Sequence, residues 1–273
     1  MSVVGSSRKN PEVLQLSPDS EVLDPKGFAS IDVVVHCAAR VHQMKKESQD
    51  EELFHRDNVD FSRKIANACL ESGVSHFIFL SSIKVLGEAT VSVPFNAHSV
   101  PNPLDAYARS KLMAEHTLSE CVRDRGMALS IVRIPLVYGL GAKGNLALLE
   151  RLAARGVPLP LGGIQNRRNL LSIRNLNDFV AHLILTGGIA GYSQVFLVAD
   201  ESPVSTPDIY TYLGRLYHKK LYLPKLPMAL LRSVGMIPLF MPIVERLTGN
   251  LEIDISQTVQ STGWRPRHAA LTD

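Results

Sequence analysis

Apolar runs of strand length, alternating with stretches of helical spacing, constrain this chain more than any other feature. Ile31–Cys37 is a β-branched run, and His76–Ser82, Ala128–Ile134 and Gln194–Val198 are further runs of the same kind. Uninterrupted apolar strands of this length are buried on both faces, which belongs to parallel sheets covered by helices. Between them, residues 50–72 show helical spacing with Gly73 as the stop, and residues 105–125 form a second helix closed by Gly126. The alternation argues for an α/β fold, a Rossmann-like doubly wound parallel sheet.

Beyond Pro135 the texture changes. Gly139, Gly141 and Gly144 lead into a helix at 145–155, and Val157–Gly163 is a proline- and glycine-rich loop. A short extended piece at 170–173, a helix at 175–186 and a helix opened by Ser205-Thr206-Pro207 follow. The expected organisation is a cofactor domain over residues 1–140 and about 170–200. A small C-terminal substrate-binding lobe takes 141–169 and 201–273.

An open parallel sheet gathers its chemistry at the carboxyl ends of its strands. Ser82 ends one strand, and the next helix carries Tyr107 and Lys111. Residues four apart lie on one helix face, and an ammonium beside a phenol favours the phenolate. Tyr107 is then a proton shuttle near neutral pH. The alternative is an ordinary surface-helix pair, since Tyr-x-x-x-Lys also arises by chance.

The N-terminus reads Met1-Ser2-Val3-Val4-Gly5-Ser6-Ser7-Arg8-Lys9. It resembles the second strand of such a sheet and its exit loop rather than the first strand. The first βα unit, with the glycine-rich turn that cradles a pyrophosphate, is therefore expected to be missing. That loss would leave the 31–37 strand with an exposed apolar edge. The exit loop has no acid for a ribose 2′-hydroxyl and two cations, Arg8 and Lys9, a tilt toward NADP over NAD.

The bulk properties exclude more than they assign. Net charge is +3 and 20% of residues are charged, without a basic block that would suggest nucleic acid. The apolar stretch Leu226–Val244 is broken by Arg232 and by prolines, so no membrane span is expected. Cys37, Cys69 and Cys121 stand in apolar contexts and read as buried free thiols of a cytoplasmic protein. The 9 histidines show no ligand spacing, so no metal site is expected, and His36 reads as a core histidine.

From Ile31 onward the chain resembles the extended short-chain dehydrogenases/reductases of the NAD-dependent sugar epimerase/dehydratase group. The segments that carry the resemblance are His36-Cys37-Ala38-Ala39, Asp57-Asn58-Val59, Ser81-Ser82-Ile83-Lys84-Val85, Tyr107 with Lys111, and Arg133 to Gly139. Lys143-Gly144-Asn145, Asn166-Arg167-Arg168 and Gly263-Trp264-Arg265-Pro266 extend it and point to bacterial O-antigen UDP-sugar 4-epimerases and 4-keto-sugar reductases. The resemblance implies Ser82, Tyr107 and Lys111 as catalytic residues. It implies Ala38, Ala39, Arg40, Asn58, Ser81, Tyr107, Lys111 and Pro135 as contacts of NAD or NADP. Ser82, Lys84, Asn145 and Arg168 would meet a UDP-sugar, with Asn145 on the UDP and Arg168 on its phosphate. A homodimer through the helices near 50–72 and 105–125 is also implied. Two other readings stay open: another short-chain alcohol dehydrogenase, and a non-catalytic remnant that binds a sugar nucleotide.

Overall fold

The computed structural model describes residues 18–19, 23–41, 51–139, 145–227 and 241–272. The expectations for the N-terminal strand and loop, for Lys143 and Gly144, and for most of the 226–244 stretch lie outside the described residues. The chain divides into two compact units. The first spans Met1–Gly87, Ala97–Ile134 and Phe179–Leu197; the second spans Glu88–Asn96, Pro135–Asp178 and Val198–Asp273.

The first unit is built on a parallel sheet of β1 (Val33–His36), β2 (His76–Ser82), β3 (Ala128–Ile134) and, at its far side, the strand Ser193–Leu197. The register pairs His36 with Phe79 and Ser82 with Ile134. Successive side chains of a strand face opposite ways. Phe77, Phe79, Leu129 and Ile131 enter one core, while Ile78 and Val132, on the other face, are equally buried. The sheet is thus covered on both sides, as the continuous apolar runs require. Among the described residues β1 is an edge strand.

After β1 the described chain resumes in α1 (Glu51–Phe54), passes through a π-helical stretch at His55–Asp60, and continues as α2 (Phe61–Glu71). Gly73 ends it with φ at +79°. The helix α3 (Ala106–Val122) opens on Asp105, whose carboxylate accepts the Ala108 N–H at 2.7 Å. It stops short of Gly126, because Asp124 takes the left-handed turn itself at φ +56°. A short polar side chain tolerates that region.

In the second unit β4 (Val137–Tyr138) pairs in parallel with β5 (Leu171–Ser172). The helix α4 (Asn145–Ala154) packs on α6 (Thr206–Leu216) through Leu146, Ala153, Ile209 and Leu213. The helix α5 (Ile173–Thr186) begins two residues before its expected start, because Ser172 serves as its cap, its hydroxyl accepting the Asn175 N–H. The expected cap of α6 is present, with Ser205 and Asp208 forming a reciprocal capping box that spans Pro207. Gly139 turns out of β4 at φ +149°, where an added Cβ would come within 2.7 Å of Ile173. Among the described residues, no helix is long and apolar enough to cross a membrane.

Candidate active site

Ser82 is the last residue of β2, in extended backbone, and Tyr107 is the second residue of α3. The Ser82 side chain acts on the Tyr107 phenol as a hydrogen-bond partner, which links a strand end to a helix start. Phe54 of α1 meets the phenol ring edge-on at 6.4 Å between centroids. Lys111 lies one turn further along α3 and is 2% exposed. Its ammonium sits 3.9 Å above the centre of the Phe79 ring.

The electrostatics correct one expectation. Burial pushes the Tyr107 phenol up from its ordinary value; the Ser82 hydrogen bond pulls it down and the Asp105 carboxylate adds to the rise. Lys111 is not what sets the phenol, because its ammonium is turned to the ring of Phe79. Lys111 is itself strongly perturbed. Burial lowers its pKa to about 7, opposed by the Glu115 carboxylate and Cys37.

Glu115 stands a further turn along the same stripe of α3. It accepts a short hydrogen bond from the Ser81 hydroxyl and holds Arg133 of β3, with Arg133 Nη2 at 2.6 Å from Oε2. Both members of this ion pair are buried. Ser81, expected at the cofactor, is thus engaged with Glu115. The Tyr107–Lys111 spacing, continued by four, is the signal that marks Glu115 in the sequence.

Asn58 sits inside the π-helical stretch and is 1% exposed. Its Oδ1 accepts the Arg40 N–H at 2.7 Å, and its Nδ2 donates to the Arg40 carbonyl and to Ser110 Oγ. Ser110 Oγ in turn donates to the Tyr107 carbonyl at 2.8 Å. The loop after β1 is thereby tied to the helix that bears Tyr107. Ala38 and Ala39 lie in this loop, and the Arg40 guanidinium is paired with Asp57 at 2.8 Å. His36 is a core residue, as expected: it bonds Ser62 at 2.9 Å, and burial lowers its pKa to about 3.

Lys84, expected at the substrate, places its ammonium 2.7 Å from Asp105 Oδ2. Of the cysteines only Cys69 is buried; Cys121 is partly exposed and Cys37, just past the end of β1 where the chain leaves the sheet, is exposed.

Pro135, Asn145 and Arg168 belong to the second unit. Pro135 is buried directly after β3, and Asn145 opens α4, though its side chain lies outside the described residues. Arg168 Nη1 donates to the Gly249 carbonyl at 2.9 Å and the Arg246 carbonyl at 3.2 Å, at the end of the helix Met241–Thr248. Burial lowers the Arg168 pKa, with Glu88 opposing. Arg167 is exposed and pairs with Glu252. A cavity of about 140 Å³ is lined by Tyr138, Leu146, Glu150, Tyr212 and Tyr217, between α4 and α6.

A hydroxyl, a phenol and a buried amine at the carboxyl end of a parallel sheet suit the nicotinamide riboside half of a dinucleotide. The buried Lys111 cation fits a site that receives hydrogen-bond acceptors. The chain spells Gly139-x-Gly141-x-x-Gly144 between β4 and α4, a pattern that the N-terminal expectation passes over. Residues 140–144 lie outside the described residues. The strand before them belongs to a two-stranded sheet, not to the main one, which is not the setting in which that spelling cradles a pyrophosphate.

A model of the NAD dependent epimerase/dehydratase family matches residues 12–191. A UDP-glucose 4-epimerase of Vibrio cholerae is 41% identical over 237 residues, 86% of this chain and 72% of that protein. The N-acetyl-alpha-D-glucosaminyl-diphospho-ditrans,octacis-undecaprenol 4-epimerase of Escherichia coli O157:H7 is 26% identical over 80% of this chain; the match takes in 64% of that relative, less than two thirds of it. Among solved structures, MoeE5 in complex with UDP-glucose and NAD superposes with a TM-score of 0.73 at 20% identity, over 98% of this chain and 86% of the other. The UDP-glucuronic acid 4-epimerase from Bacillus cereus in complex with NAD gives 0.70 at 20%, over 91% and 74%. Those two superpositions speak for the fold. On the family match, which takes in well over half its length, and on the Vibrio relative, the chain belongs to the NAD-dependent epimerase/dehydratase family.

Proposed function

We propose that this chain acts on a UDP-sugar at C4, as an NAD(P)-dependent 4-epimerase or, with a single hydride delivery, a 4-keto-sugar reductase. The observation that supports the reading is Ser82, at the end of β2, acting on the Tyr107 phenol of α3, with the buried Lys111 one turn further along that helix. The 41% identical relative named as a UDP-glucose 4-epimerase supports the substrate class.

In this reading the Tyr107 phenol oxygen exchanges a proton with the sugar 4-oxygen. The Ser82 hydroxyl, already bonded to that phenol, holds the same oxygen. Lys111 donates to ribose hydroxyls of the cofactor, and Asn58 keeps the Arg40 loop against α3. The nicotinamide, when bound, takes up or gives a hydride at C4. Arg168 turns from the helix-end carbonyls to a phosphate, and Asn145 meets the UDP. The first unit has the cofactor role and the second the sugar-nucleotide role. Arg8 and Lys9 favour NADP, and a side-by-side titration of NAD and NADP decides that point. A homodimer and a cytoplasmic location complete the reading; the free thiols among the described residues suit the latter.

The test is a coupled assay with UDP-glucose and UDP-N-acetylglucosamine for epimerisation, and with a UDP-4-keto-6-deoxy sugar and NADPH for reduction. The expected outcome is turnover in one of them, reduced about 100-fold or more in Tyr107→Phe. Unchanged turnover in that variant would remove Tyr107 from the chemistry.

A further inference from the structure

Ser82 and Tyr107 come from different elements, and a ring of contacts fixes one to the other. Ser82 Oγ accepts the Lys84 N–H at 3.2 Å. Lys84 Nζ donates to Asp105 Oδ2 at 2.7 Å, and Asp105 Oδ1 accepts the Ala108 N–H at 2.7 Å, which caps the helix. The Tyr107 phenol closes the ring on Ser82. Lys84 and Asp105 are 27% and 25% exposed, so solvent screens the pair only in part.

We propose that the Lys84–Asp105 ion pair is a positioning device for the proton-transfer pair, setting both where Tyr107 stands against Ser82 and what charge its phenol faces. The proposal rests on the reading above, in which Tyr107 moves a proton, and it gives Lys84 a task other than substrate contact.

The surroundings of the phenol make Asp105 the relevant charge. On α3, Arg109 is drawn away to Glu51 of α1 and to the Leu104 carbonyl. Lys111 lies over Phe79, facing Glu115, Cys37 and His36. From α1 the phenol meets the uncharged Phe54 ring, and from β2 the Ser82 hydroxyl. Asp105 raises the phenol, and the Lys84 ammonium, in contact with Asp105, offsets its charge.

Two substitutions then act in opposite directions. Asp105→Asn keeps an oxygen for the Ala108 N–H but removes the negative charge, so the phenol ionises at lower pH. Lys84→Met takes an ammonium away from Asp105, so the phenol ionises at higher pH. The experiment is a ¹³C NMR titration of ring-labelled tyrosine in the protein without cofactor, with the Tyr107 signal assigned by its loss in Tyr107→Phe. Opposite shifts of about 0.5 pH unit or more are expected, with Lys84→Met silent in the Asp105→Asn background and with near-parental behaviour in Lys84→Arg. Unmoved midpoints, or shifts of the same sign, overturn the proposal. So does a Lys84→Met variant whose KM for the sugar nucleotide rises while the midpoint stays. Because the titration needs no turnover, opposite shifts in a protein inactive in every assay would sink the functional reading and leave the clamp standing.

Discussion

Lys111 shows what a buried amine costs at the scale of one residue. A lysine 2% exposed is held where burial brings its pKa down from 10.5 to about 7. The unfolded chain therefore binds one more proton than the folded chain between those two values, so this residue makes stability rise with pH across that window. Lys111→Met removes the buried charge and keeps most of the volume. Its advantage over the parent should be largest below about pH 7 and shrink to nothing as pH approaches the ordinary lysine value. Urea unfolding of both proteins at a series of pH values reads the difference directly; a difference constant with pH would mean that Lys111 is not a strained cation. The same logic explains why the sign of the Tyr107 shift was not legible in the sequence. Spacing along α3 shows that phenol and amine share a face, but not that the amine is drawn to the Phe79 ring or that burial dominates the phenol.

Among elements, the π-helical stretch His55–Asp60 positions Asn58. A π turn takes one more residue than an α turn and recurs at functional sites. Here it buries Asp57, Asn58 and Val59 together. Asn58 supplies both its acceptor and its donors to other segments, so Asn58→Ala leaves the Arg40 N–H and carbonyl and Ser110 Oγ short of partners. A loss of about 1–3 kcal/mol is expected, with faster hydrogen exchange at the Arg40 amide than at amides of β2. Unchanged exchange at Arg40 would show that the loop after β1 does not depend on Asn58. Periodicity gave this helix its extent but not its π stretch, because an apolar stripe read at 3.6 residues per turn averages over one inserted residue. By contrast β2 and β3 are found where their apolar runs stand, since a strand buried on both faces shows in the sequence as one continuous run. The Lys84–Asp105 contact joins residues 21 apart along the chain, and nothing in local pattern announces such a pair.

On the scale of the whole molecule, each compact unit has a core of its own, and the second is organised around one buried carboxylate. Asp200 is 1% exposed. Its side chain accepts from Tyr138 Oη at 2.8 Å, from the Ser172 N–H at 3.0 Å and from Asn175 Nδ2 at 2.7 Å. The Tyr138 oxygen also receives the Leu271 N–H, and Asn175 bonds the backbone at Arg267 and His268, so the chain's last described segment is fastened through the same cluster. Asp200→Ala strands several buried donors at once and should cost about 3 kcal/mol or more. The protein has 1 tryptophan, Trp264, whose Nε1 donates to Asp178 in this same unit, so its fluorescence reports on that unit alone. In guanidinium titrations the Trp264 transition should move to lower denaturant in Asp200→Ala and stay in place in Tyr107→Phe, whose change falls in the first unit. A Trp264 transition indifferent to Asp200 would mean that the carboxylate does not hold the second unit together, and that the cores of α4 and α6 stand without it.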